Sequence, residues 1–150
     1  MFRYRKQLTL ALVVVLILSL AASLFSGVMS TPQDEVETVA CDDSQSREIR
    51  ALVQNQSFAF RSQNVSGAYS YFSESFRSDI DVERFSLIVG TNYPMLLKGN
   101  SIAFGECRVI DIGFAQAVTV TTDDGADKLL YFITQADGTT AVEGITVEGR

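Results

Sequence analysis

The chain has 150 residues, with 12 Lys and Arg against 18 Asp and Glu for a formal charge of −6, no histidine and only two cysteines. Without His, a Ser-His-Asp triad, a Cys-His nucleophile and a His-ligated metal centre are all excluded. The acidic balance repels phosphate backbones and argues against nucleic acid as a partner.

The N-terminus carries Arg3, Arg5 and Lys6, and then Leu8 to Met29 holds no Asp, Glu, Lys or Arg. As a helix at ~1.5 Å per residue those residues would reach about 33 Å, enough to cross a bilayer core. Basic residues ahead of an apolar run keep the N-terminus in the cytoplasm, so residues 1–30 read as a signal peptide or a membrane anchor and the remainder of the chain as exported. Ala21 and Ser23 offer small side chains for cleavage, Val28 and Ser30 do so less well, and the length of the run favours the anchor. Thr38-Val39-Ala40-Cys41 is not read as a lipoprotein box, because Asp34, Glu35 and Glu37 separate it from the apolar run. Three of the 12 basic residues precede that run and all 18 acidic ones come after it, so the exported part has a formal charge of −9.

Residues 31–44 are polar and acidic and read as a linker. Residues 45–150 then suit one domain with a single core. Ile49, Leu52, Val53 and Phe60 recur at helical spacing and predict a helix over Gln45–Asn64, capped by Asp42, Asp43 or Ser44. A second helix is expected over Ser66–Arg77, with Ala68, Tyr69, Phe72 and Phe76 on one side. A third starts at Asp79 or Asp81, buries Val82, Phe85, Ile88 and Val89, and is ended by Gly90 and Pro94.

After Pro94 the period drops to two: Ile102 and Phe104, then Ile110, Ile112, Phe114, Val118 and Val120, alternate with small or polar neighbours, as in strands. Asp123-Asp124-Gly125 and Asp137-Gly138 are hairpin turns, so Lys128–Gln135 and Ala141–Glu148 complete an antiparallel meander. The fold class is therefore α+β, three helices on a curved four-stranded antiparallel sheet. Leu129 to Ile133 are apolar on both faces, so the face away from the helices also needs cover, and a homodimer through it is the simplest kind. Cys41 and Cys107 are either a disulfide pair, which an oxidising compartment would allow, or two separate buried thiols.

Arg47-Glu48-Ile49-Arg50 opening a helix, Ala59-Phe60-Arg61, Ala68-Tyr69-Ser70-Tyr71-Phe72, Phe85 ahead of Tyr93-Pro94, and Asp137-Gly138 leading to Gly144-Ile145 carry a resemblance. In order and spacing the chain resembles a family of short exported bacterial proteins, domain of unknown function 4864, and its layout resembles the nuclear-transport-factor-2-like (SnoaL-like, cystatin-like) cone fold. Thr139 and Thr140 stand where that family usually has a Trp. The resemblance implies a fold and export but no reaction, and a cone of this kind can hold a small apolar ligand between helices and sheet.

Polar residues within apolar segments are the candidates for chemistry. Gln116 alternates with Phe114 and Val118 and so lies on the apolar face, where its amide needs a hydrogen-bond partner or a cavity. Tyr69 and Tyr93 lie on helical stripes and could turn hydroxyls into a pocket. Asp111, like Glu106, could serve as a general base if desolvated, while Tyr71, Arg108 and Glu143 are the other polar groups in such positions. Asp123, Asp124 and Asp127 lack the spacing of a calcium loop, and the sequence implies no metal and no cofactor. Asn55-Gln56-Ser57 and Asn64-Val65-Ser66 match the glycosylation pattern by chance. The expectation is a non-catalytic domain that binds a small apolar ligand or a protein partner. A cofactor-free isomerase, hydratase or hydrolase using a cavity carboxylate and a tyrosine is the alternative.

Overall fold

A computed structural model describes residues 38–149. The expected signal or membrane segment, residues 8–29, lies outside them, and no helix among the described residues is long and apolar enough to cross a membrane.

The first helix, α1 (Asp43–Arg61), begins at a reciprocal cap. The backbone N–H of Gln45 donates to the Asp42 carboxylate at 2.8 Å and that of Asp42 to the Gln45 side chain at 2.9 Å, which pairs two donors that a helix start leaves open. Ile49, Val53, Gln56 and Phe60 form its buried stripe. The helix thus starts two residues before the expected Gln45 and stops three before Asn64.

The single helix expected over Ser66–Arg77 is instead two, α2 (Val65–Tyr69) and α3 (Glu74–Asp79). Between them the chain pairs with the sheet, as Ser73 N–H donates to Val142 O at 2.8 Å and Val142 N–H to Tyr71 O at 2.9 Å. Ser73 then caps α3 through its hydroxyl. The fourth helix, α4 (Val82–Asn92), is capped by Asp81 and runs through Gly90. Pro94 opens a further helix, α5 (Pro94–Lys98), because a ring that lacks an N–H costs nothing in a first turn. Five helices therefore replace the three expected.

Strands β1 (Ser101–Ile110), β2 (Gly113–Thr122), β3 (Gly125–Ala136) and β4 (Thr139–Val147) form one antiparallel sheet in chain order, as the change of period implies. The Asp137-Gly138 hairpin has positive φ at both residues, the geometry that matches strand twist. Two bulges bend the sheet. One, at Gly105–Glu106, resets the alternation, so that Phe104 and Cys107 both pair with inward-facing partners, Val118 and Gln116. In the other, Glu143 is the extra residue between the pairs Phe132–Gly144 and Ile133–Val142. The helices cover the face bearing Phe114, Gln116, Val118, Leu129, Tyr131, Ile133 and Val142, all buried. Each large apolar side chain buried there contributes about 1.5–3 kcal/mol.

The segment expected as a linker up to Ser44 joins the domain from Val39 onward. Ala40 bridges to Arg108, Val109 N–H donates to Val39 O at 2.7 Å, and Cys41 N–H donates to Cys107 O at 3.1 Å. Cys41 and Cys107 are joined as a disulfide, with Cα atoms 5.4 Å apart. A β-edge pairing, a covalent bond and the α1 cap thus fix residues that composition alone assigns to a tether.

Gly113, after the two-residue turn Asp111-Ile112, has φ +138°, and a Cβ there would lie 2.2 Å from Ile133 O. Gly113→Ala is expected to destabilise the domain by about 2–4 kcal/mol in urea unfolding, whereas Ala at Gly125, where a Cβ meets nothing within 4 Å, meets only the strain of φ +144° and costs less.

Candidate functional site

The helix layer does not fill the bend of the sheet. Between α2–α5 and β4 lies a cavity of about 200 Å³. Phe60 at the end of α1 and Phe72 and Phe76 around the start of α3 form one wall. Ile80, Phe85, Ile88 and Val89 close the helix side, Tyr93 and Leu96 the floor, and Gly144 and Ile145, just past the Glu143 bulge, the sheet side.

Phe85 organises this wall. Its ring meets Phe72 edge-on at 5.1 Å, Phe76 edge-on at 6.1 Å, Phe60 at 6.2 Å and Tyr69 at 5.3 Å, while Phe72 and Phe76 stack at 4.1 Å. Tilted and edge-to-face arrays of this kind add about 0.5–1.5 kcal/mol per pair beyond area burial and hold the rings in fixed orientations.

The structure separates the candidate residues read from the sequence. Tyr93 lines the cavity, but its hydroxyl donates to Ile145 O at 2.9 Å. Tyr69 packs behind Phe85 and its hydroxyl serves the end of α3, reaching Ile80 O at 2.7 Å and Arg77 O at 3.2 Å. Gln116 is 0 % exposed and sits at the first bulge, where its amide nitrogen lies 3.1 Å from Gly105 O, 3.3 Å from Glu106 O and 2.8 Å from Ala117 O. It holds the bulge closed and does not line the cavity. Asp111 is exposed in the β1–β2 turn and Glu106 is exposed in the bulge, so neither is desolvated and neither lines the cavity. The lining of this cavity contains no Asp or Glu, whereas a second, more polar hollow at the β3–β4 hairpin brings Tyr71 together with Glu74, Arg77 and Asp137.

Two buried polar groups escape a reading of the sequence. Gln56 occupies the buried stripe of α1 between Val53 and Phe60, and its amide nitrogen donates to Ala68 O at 3.1 Å, which ties α1 to α2. A polar residue at core spacing is the signal that could have found it. Among the described residues the Oε1 atoms of Gln56 and Gln116 have no donor. Tyr131 lies within the apolar run of β3 and beside Gln116 in the register, and burial pushes its phenol well above the usual tyrosine range. Among the described residues, no cluster of three or more His, Cys, Asp or Glu could hold a metal ion.

The chain belongs to the family DUF4864, a domain of unknown function, whose model matches residues 42–150. The match spans the domain from the α1 cap to the C-terminus and leaves out the N-terminal segment. No curated protein matches the chain.

The raised phenol of Tyr131 has a consequence for stability. Above pH ~10 the unfolded phenol loses its proton while the buried one keeps it, so the folded state binds more protons and stability falls as pH rises. Chemical unfolding between pH 9 and 11.5 is expected to reveal an extra loss approaching about 1.4 kcal/mol per pH unit that Tyr131→Phe removes.

Proposed function

We propose that this chain presents a non-catalytic binding domain of the cone type on the extracytoplasmic side, where it takes up a small, neutral, apolar molecule. The observation that carries this reading is the cavity of about 200 Å³ walled by four phenylalanines, by Ile80, Ile88 and Val89 and by Leu96. An apolar cavity of ~150 Å³ stays dry and accepts benzene, so this one has room for a fused bicyclic arene or a branched hydrocarbon of similar bulk. Its one side-chain hydroxyl, on Tyr93, already donates to Ile145 O. The pocket therefore selects by shape and by the cost of burying polar atoms.

Export is supported by two independent features. Residues 8–29 come after a basic N-terminus and carry no charge, and the Cys41–Cys107 disulfide is of a kind that persists in oxidising compartments. The domain is then anchored at the outer side of the membrane, or released if the leader is cleaved.

Binding is tested on the domain, residues 38–150, with naphthalene and indole as probes. At ten times its Kd a bound probe is expected to add roughly 1.4 kcal/mol of stability, a rise of several degrees in Tm. Ile88→Trp, which fills the cavity, abolishes the shift, while Leu87→Trp at the neighbouring position, 72 % exposed and outside the cavity, leaves it intact. Equal responses in the two variants refute the site. Export is tested in intact cells with a thiol-trapping maleimide. Cys41 and Cys107 are expected to resist it until a reductant is added, and labelling without reductant refutes the compartment.

A further inference from the structure

We propose that the hollow beside the β3–β4 hairpin is a second binding site, and that it takes a neutral sugar of one or two rings. It is distinct from the apolar cavity, with which it shares only Phe72.

The hollow has a volume of about 400 Å³, within the ~300–1,000 Å³ of small-molecule sites, and three parts of the chain enclose it. Leu52 comes from α1, Ser70–Glu74 and Arg77 from α3 and the link that precedes it, and Thr134 to Ala141 from the hairpin. These walls are tied to one another. Tyr71 and Ser73 pair through their backbones with Val142, and the Thr140 hydroxyl donates to the Glu48 carboxylate on α1. A site whose walls are already fixed loses little freedom when it is filled.

Its polar groups are of both signs and are uncommitted. Among the described residues, the Tyr71 hydroxyl, the carboxylates of Glu74 and Asp137 and the hydroxyls of Thr134 and Thr139 make no hydrogen bond or ion pair. Arg77 commits only Nε, to Ser73 O at 3.4 Å, and keeps both terminal amino groups. Glu74 and Arg77 lie one turn apart on α3 and still form no ion pair.

These charges decide what fits. Glu74 and Asp137 outnumber Arg77, and Glu48 stands behind Thr140, so an anion is repelled. A cation would meet Arg77 along with the carboxylates. Sugar hydroxyls donate and accept at once. They give hydrogen bonds to Glu74 and Asp137 and take them from Arg77 and Tyr71, and the ligand has no charge of its own to strip of water. Hydrogen bonds to charged partners are about twice as strong as those between neutral groups, which suits a half-open site where water competes. Leu52 and Ala141, both half-buried, offer the C–H face of a ring an apolar surface.

The test uses the full chain in a detergent that carries no sugar headgroup. Cellobiose and N,N′-diacetylchitobiose are titrated up to about 20 mM and followed by saturation-transfer NMR and backbone amide shifts, with an expected Kd of about 1 mM, since each bond to the site replaces one to water. Arg77→Ala weakens binding about tenfold, as do Glu74→Gln and Asp137→Asn together, and Tyr71→Phe weakens it about threefold. The amide variants keep the size of the side chains they replace, and Asn tolerates the φ of +52° at position 137, so they cover the case in which Arg77→Ala does not fold. Glu83→Gln, exposed on α4 and outside the hollow, leaves binding unchanged, and so does Ile88→Trp, which fills the apolar cavity alone. No saturable binding of either disaccharide overturns the proposal. So does binding to which all the variants are indifferent, or a preference for glycine over both disaccharides, which would make the ligand a zwitterion.

Discussion

Two backbone hydrogen bonds, from Ser73 to Val142 and from Val142 to Tyr71, decide how the helix layer meets the sheet. They cap part of the free edge of β4, which would otherwise expose unpaired donors and acceptors. They also interrupt a segment whose side-chain spacing is helical throughout. The interruption turns Phe72 into the core and lets Ser73 restart the chain as α3, which is how Phe72 and Phe76 come to stack against each other and face Phe85. Had the segment stayed one helix, Phe72 and Phe76 would lie one turn apart on a continuous surface. The wall of the cavity is thus a product of an edge-strand contact more than of helix packing.

The cavity itself arises from a mismatch in curvature. A bulge adds a residue to one strand and increases the local bend. Glu143 adds it immediately before Gly144 and Ile145, the sheet side of the hollow. The second bulge, at Gly105–Glu106, is held from within by the amide of Gln116. One bulge is therefore backed by a polar core side chain and the other faces open space. A packed interior tolerates few voids larger than a water molecule. A half-open hollow of this size, lined by aromatic rings in tilted and edge-to-face contact, forgoes dispersion contacts that a filled interior would make.

Much of this architecture is legible in the residues, and the failures have specific causes. The period change after Pro94 and the two Asp-Gly turns locate the sheet, because alternation and positive-φ turn chemistry are local signals. The Ser66–Arg77 segment reads as one helix because its break is imposed from outside by Val142, a partner far along the chain. Pro94 reads as a stop although it also starts α5, since a proline at a helix N-terminus and one beyond a helix C-terminus look the same in sequence. Gln116 falls on the inner face as its parity implies, yet its role at a bulge is invisible without the register. Asp111 fails as a cavity residue because β1 ends at Ile110 and leaves it in the turn. Glu106 is left exposed because it sits in the bulge at Gly105–Glu106, which alternation in the sequence does not reveal.

The absence of an acid from the cavity lining bears on what such a site can do. General base catalysis needs a carboxylate held in a water-poor pocket with its pKa raised, together with a donor for the charge that develops. Here the one hydroxyl at the lining is committed to a backbone carbonyl, and its neighbour Tyr69 holds the end of α3. Releasing either would take a donor from a half-buried carbonyl. The polar groups of this interior are structural fasteners: Tyr93 fixes α5 to β4, Tyr69 fixes α3, Gln56 fixes α2 and Gln116 fixes a bulge. Of these four, Tyr93 alone lines the cavity, and the rest of that lining is apolar.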